Sequence, residues 1–167
     1  MKKLILIGFA TSGKSAVGKL LASRLNAKFV DTDAEIERQC GMSVQQIFDT
    51  YGERYFREKE NQLLFSLACE QNAVVACGGG SVTAESFPQF AENGVVVWLT
   101  ATAATVKSRL GNAPRPLFDG LNEQQLQQFI EARAPLYQRY ATLTIPTDDL
   151  TAEQVFEKIV LLLADNI

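Results

Sequence analysis

Residues 8–15 read Gly8-Phe9-Ala10-Thr11-Ser12-Gly13-Lys14-Ser15, a glycine, four residues and then Gly-Lys-Ser. The flanks of this stretch constrain the fold as much as the motif does. Upstream lies the short apolar run Leu4-Ile5-Leu6-Ile7, and downstream Val17, Leu20, Leu21 and Leu25 recur at helical spacing. A strand that enters a glycine loop and leaves as a helix is a βα unit, the building block of parallel sheets. The loop turns its amides inward and the helix adds positive partial charge, so a polyphosphate can sit between them. Lys14 can reach the β- and γ-phosphates, and the Ser15 hydroxyl can ligate Mg²⁺. Gly8, Ser12, Gly13, Lys14, Ser15 and Ala16 are therefore the candidates for holding a nucleotide. The motif does not say what the nucleotide is used for.

The rest of the chain repeats the alternation. Leu4–Ile7, Phe29–Val30, Val74–Ala76, Val95–Leu99 and Leu143–Ile145 are continuous apolar runs, as strands covered on both faces are. Helical patterns run over Lys14–Leu25, Ala34–Cys40, Val44–Tyr51, Glu53–Asn72, Thr102–Leu110, Glu123–Tyr140 and about Ala152–Ala164. Ser43-x-x-Gln46 and Thr151-x-x-Gln154 read as capping boxes. Right-handed crossovers then predict an α/β fold, a five-stranded parallel sheet sandwiched by helices in one domain, with ligands at the strands' carboxyl ends.

Two stretches break the rhythm. From Asp33 to about Gln71 the pattern is helical between two strands, too long for a plain crossover. Its first part, about residues 33–61, is expected to form a small lobe over the strand ends. Residues 111–120 place two glycines around Pro114, Arg115 and Pro116. An exposed loop that pins an arginine opposite a phosphate site reads as a lid.

Charge and composition exclude several classes. The 167-residue chain has a net charge of −3 and no basic run, which argues against nucleic acid as its partner. No stretch is long enough to span a membrane. Cys40, Cys69 and Cys77 form no C-x-x-C pair, and reduced thiols in a cytoplasmic monomer are the reading. The chain has no histidine. Acid–base work therefore falls to Asp, Glu, Lys, Tyr or Cys, and a Ser-His-Asp triad is excluded.

Asp31-Thr32-Asp33 follows the second strand, so both carboxylates face the ligand crevice. One could hold Mg²⁺ while the other accepts a proton from a substrate hydroxyl, and either could also cap the helix that follows. Gly78-Gly79-Gly80 follows the third strand and lets a backbone approach a ligand closely. Arg57 and Arg133 matter if they converge, because an arginine fork suits a carboxylate or phosphate.

Together these blocks resemble the shikimate kinases over nearly the whole chain. The resemblance rests on Gly8–Ser15, Phe-Val-Asp31-Thr-Asp33, Gly52-Glu53-x-x-Phe56-Arg57-x-x-Glu60, Gly78-Gly79-Gly80, Arg115-Pro116-Leu117 and Arg133-Ala-Pro-Leu-Tyr137. It implies a P-loop kinase fold of the nucleoside monophosphate kinase type with a lid loop. The implied activity is transfer of the γ-phosphoryl group of ATP, with Mg²⁺, to the 3-hydroxyl of shikimate, in chorismate and aromatic amino acid biosynthesis. The resemblance also assigns roles. Asp33 would contact the substrate hydroxyls as candidate base, and Asp31 would position Mg²⁺ with Ser15. Arg57 and Arg133 would hold the carboxylate, backed by the triple glycine. Phe48 and Phe56 would be pocket aromatics and Glu60 a supporting carboxylate. Arg115 would reach the phosphates from the lid, and Arg109 would lie near adenine.

The chain departs from the family pattern in two places. Thr11 stands where a further glycine is usual, and Ala16 where threonine is common. A β-branched residue is costly at positive φ. After the last short strand the chain reads Ile145-Pro146-Thr147-Asp148-Asp149, without the arginine expected near adenine. A gluconate or nucleoside monophosphate kinase and a non-catalytic nucleotide-binding module are the alternative readings.

Overall fold

The computed structural model describes residues 1–111 and 120–164. Five strands, β1 (Lys3–Ile7), β2 (Lys28–Asp31), β3 (Ala73–Ala76), β4 (Gly94–Thr100) and β5 (Leu143–Pro146), form one sheet in the order β2-β3-β1-β4-β5. All four pairings are parallel. The helices are α1 (Lys14–Leu25), α2 (Thr32–Cys40), α3 (Val44–Ser66), α4 (Phe87–Ala91), α5 (Ala103–Leu110), α6 (Glu123–Tyr140) and α7 (Ala152–Ala164), with a 3₁₀ turn at Ser81–Thr83.

β1 explains why its run is continuously apolar. It is central, all five of its residues are buried, and alternate side chains enter opposite layers. Ile5 and Ile7 pack with Ile47, Phe56, Val75, Phe87 and Tyr137 on one face. Leu4 and Leu6 pack with Val17, Leu21, Val97, Val155 and Ile159 on the other. The sheet order reverses at β1, between β3 and β4, so the crevice above its carboxyl end is where a ligand is expected.

The expected strands and helices are all present, with three differences. Val44–Tyr51 and Glu53–Asn72 are one element, α3, broken only at Gly52 (φ 81°, ψ 168°). That helix ends at Ser66, because the buried Lys3 ammonium donates to the Leu67 and Ala68 carbonyls, at 2.8 and 3.1 Å, and closes the end. The 3₁₀ turn and the short α4 were not anticipated. Both capping boxes form: Gln46 and Gln154 reach back to the Ser43 and Thr151 amides at 2.8 Å. Of the expected lid, Gly111 and Gly120 are described, and Arg115 lies outside the described residues.

Candidate active site

The loop after β1 is shaped by three residues with positive φ: Gly8 (140°), Thr11 (58°) and Gly13 (93°). A side chain on Gly8 would run into the Leu99 carbonyl of β4. Gly13 is the N-cap of α1. Thr11 takes a left-handed conformation despite its branched Cβ. Its carbonyl accepts from Arg109 at 3.2 Å, and its hydroxyl donates to the Val106 carbonyl at 3.5 Å. The Lys14 ammonium is buried inside the loop, donating to the Gly8 and Phe9 carbonyls at 2.9 and 2.7 Å. Ala16 is exposed on the first turn of α1.

Asp31 does one of the jobs the sequence allowed it, the helix cap, and also meets Ser15. Its side chain caps α2 by accepting from the Ala34 amide at 3.3 Å. The same carboxylate accepts from the Ser15 hydroxyl across the mouth of the loop. Two hard oxygen donors thus meet beside the phosphate cradle. Among the described residues, no cluster of three or more acidic, cysteine or histidine side chains could hold a metal. A two-oxygen site fits Mg²⁺, which is held by one or two protein oxygens, substrate phosphates and water.

A cleft of about 460 Å³ opens beside the loop. Lys14, Ser15, Asp31, Asp33, Phe48, Phe56, Arg57, Glu60, Gly78, Gly79, Gly80 and Arg133 all line it. These come from five separate stretches of chain. Phe48 and Phe56 lie one on each side of the Gly52 break, with ring centroids 5.3 Å apart.

The triple glycine earns its place by steric room, since none of the three has positive φ. Each glycine faces a different functional group. A side chain on Gly78 would collide with the Asp33 carboxylate, and one on Gly80 with the Arg57 guanidinium. A Cβ on Gly79 would lie 3.6 Å from Arg133 Nη1 and 3.7 Å from the Ala10 amide nitrogen. The turn therefore lets an aspartate, two arginines and the phosphate loop crowd around one backbone.

Arg57 is half-buried and bonds Glu60 at 2.7 Å and Glu53 at 3.2 Å. Burial pulls the guanidinium pKa down, but Glu60 and Glu53 outweigh it, and the pKa lies above its usual value. The arginine is therefore a permanent cation in a partly dry site. Glu60 is completely buried and also accepts from Ser81 at 2.6 Å. Arg133 lies over the Phe129 ring at 4.6 Å. Burial pushes the Cys77 thiol up, so this cleft residue stays protonated and inert at neutral pH.

A second, smaller cavity of about 200 Å³ lies on the other side of the loop. Thr11, Ser12, Gly13, Arg109, Thr147, Leu150 and Val155 line it. Arg109 donates to the Thr147 hydroxyl at 3.0 Å and to its carbonyl at 2.7 Å. Thr147 thus fixes Arg109, the one arginine among the described residues that line this cavity.

Residues that support the site without having been assigned to it in the sequence include Thr32, which accepts from the Gly78 amide at 2.8 Å, Ser81, Tyr137 and Thr147. Tyr137 carried a signal, since it stands one helical turn after Arg133. The others touch partners 21 to 46 positions away and left no local trace.

A family model described as shikimate kinase matches residues 10–164. The chain belongs to the shikimate kinase family. Among its relatives, the shikimate kinase of Sulfurihydrogenibium sp. is 41% identical over 161 residues, covering 95% of this chain and 96% of the relative. That of Thermoanaerobacter pseudethanolicus is 38% identical over 163 residues, covering 96% and 95%. The solved shikimate kinase from Acinetobacter baumannii, in complex with shikimate, superposes with a TM-score of 0.94 at 34% identity, covering 99% of this chain and 94% of that one. A gluconokinase from Sinorhizobium meliloti shares the fold alone, at 20% identity and a TM-score of 0.62. This shikimate kinase family member is thus an enzyme of the P-loop kinase fold, and the gluconate alternative is left with fold likeness only.

Proposed function

We infer that the protein transfers the γ-phosphoryl group of ATP to the 3-hydroxyl of shikimate, in chorismate and aromatic amino acid biosynthesis. One observation carries this reading: Arg57 and Arg133 line the same cleft as Asp33 and the phosphate-loop Lys14. An anionic polyol needs a cation pair at its carboxylate end and a polar group at its hydroxyl end, and this cleft supplies both.

The residues divide the work. Arg57 and Arg133 bind the carboxylate, and Phe48 and Phe56 wall the carbon ring. Asp33, held against Gly78, orients the reacting hydroxyl and accepts its proton. Lys14 and the loop amides of residues 8–16 position the phosphates, and Arg109 with Thr147 frames the adenine cavity. Ser15 and Asp31 would hold Mg²⁺, which neutralises charge on the phosphates when bound. Arg115, in the expected lid at about residues 111–120 and outside the described residues, is the further candidate for reaching the transferred phosphate. The 33–61 lobe and the lid belong to one domain spanning 1–167, acting as a cytoplasmic monomer.

A coupled ADP-release assay with ATP and Mg²⁺ tests this directly. Shikimate is expected to give turnover, while gluconate, AMP and CMP give none. Chelation of divalent cations abolishes the rate. Asp33→Asn lowers kcat by about 10² or more, the usual scale for a lost general base. Silence toward shikimate at millimolar concentration would overturn the reading.

A further inference from the structure

The two substrate-facing arginines sit on different helices, α3 and α6, that are far apart in the chain. Their separation must match a single carboxylate. Arg57 is tied to the 78–81 turn through one intermediary, and Arg133 stands against the same turn one helical step from a residue bonded to it.

On the α3 side, Arg57 Nη1 donates to Glu60 at 2.7 Å, and the other Glu60 oxygen accepts from Ser81 at 2.6 Å. Glu60 and Ser81 are both completely buried. No solvent can replace the Ser81 hydroxyl, so its removal leaves a buried carboxylate oxygen short of a donor. Glu60 is then free to turn, which leaves Arg57 with the more exposed Glu53 as its other carboxylate partner.

On the α6 side, Phe129, Arg133 and Tyr137 follow at four-residue steps and share one helix face. The guanidinium lies over the Phe129 ring, and its Nη1 stands against Gly79, 3.6 Å from where a Cβ would be. The Tyr137 hydroxyl donates to the Gly79 carbonyl at 2.6 Å. The buried Tyr137 ring packs on Trp98 of β4, with centroids 5.7 Å apart, so the phenol is anchored independently of its hydroxyl.

The turn itself is a stiff frame. Ser81 and Thr83 amides bond back to the Gly78 and Gly80 carbonyls at 3.1 and 3.0 Å, the Thr83 hydroxyl donates to Gly80 at 2.8 Å, and Thr32 holds the Gly78 amide.

We propose that Ser81 and Tyr137 are positioning residues which lock Arg57 and Arg133 to the 78–81 turn and so set the spacing of the carboxylate clamp. Neither lines the cleft. Both act on recognition of the negative charge, at the end of the molecule remote from the reacting hydroxyl. The proposal rests on the shikimate reading above, and the experiment keeps the two apart.

Steady-state kinetics on Ser81→Ala and Tyr137→Phe, with shikimate and its uncharged methyl ester as paired substrates, provide the test. Wild-type turnover of shikimate must first be seen, and its absence sinks the functional reading rather than this one. With turnover in hand, each variant is expected to raise the shikimate KM about tenfold, the scale of one buried hydrogen bond. The KM for ATP and kcat should stay within about twofold, since the lost binding is felt equally in ground and transition states. The ester should be affected far less than the acid. Tyr137→Phe should add nothing in an Arg133→Ala background, where its target is gone. Equal losses on acid and ester, a fall in kcat alone, an unchanged KM, or full additivity with Arg133→Ala would each overturn the proposal. Tyr137→Phe keeps the ring on Trp98, so it serves even if Ser81→Ala fails to fold.

Discussion

Thr11 sits at φ 58° with a branched side chain, inside the loop proposed to cradle phosphate. A left-handed conformation costs an L-residue roughly 1–2 kcal/mol, and glycine escapes that cost while adding chain entropy of about 0.5–1 kcal/mol to the unfolded state. The weak 3.5 Å hydroxyl contact to Val106 does little to offset the strain. Thr11→Gly is therefore expected to raise Tm by about 2–4 °C, the scale of 1 kcal/mol in a domain of this size. The ATP KM should stay within about twofold, because Arg109 grips the backbone carbonyl rather than the side chain. Thermal melts and ATP titration check both. At this scale the sequence pointed to candidates that neighbour one another along the chain. Lys14 and Ser15 lie in one motif, and Asp31 follows a strand directly. It concealed Thr147, because the clamp on Arg109 joins positions 38 apart.

Helix α3 carries more of the site than any other element, and it does so through a break. Gly52 has φ 81° and ψ 168°, a region that only glycine occupies comfortably, and nothing lies within 4 Å of where its Cβ would be. A substitution there meets backbone strain with no steric clash to confuse it. Gly52→Ala is expected to cost about 1–3 kcal/mol and to raise the shikimate KM, since the break sets Phe48 against Phe56. Gly41 is the control. It caps α2 at φ 65° with equally open surroundings, in the ordinary left-handed region, so Gly41→Ala should destabilise by about 1 kcal/mol and leave KM alone. Chemical denaturation and kinetics separate the two. The start of α3 was legible, because the Ser43–Gln46 box is four residues long. Its end was not. The helical pattern runs on to Asn72, and the ammonium that stops it at Ser66 comes from Lys3, more than sixty positions earlier. The glycine turn shows the same limit. Its three glycines were conspicuous, but the side chains they make room for come from α2, α3 and α6.

Across the whole molecule, the sheet order puts β1 between two strands that come much later in the chain. Leu4 pairs with Val74 on one side and Val95 on the other, about 70 and 90 residues downstream. Pairings of such separation are slow to close, which places refolding in the millisecond-to-second range. A fragment of residues 1–93 contains β1, β2 and β3 but lacks β4, so one edge of its most apolar strand stays open. It is expected to show no cooperative melt by circular dichroism. A sharp transition in that fragment would contradict this view of the core. Gly8 gives the same order a meaning during synthesis. It packs against the Leu99 carbonyl, so the cradle has no wall to close on until β4 has left the ribosome. A motif translated before β4 is therefore completed only after it. ATP in the growing cell meets a finished binding site only late, as a ligand that secures the folded chain by mass action and not as a template that shapes it.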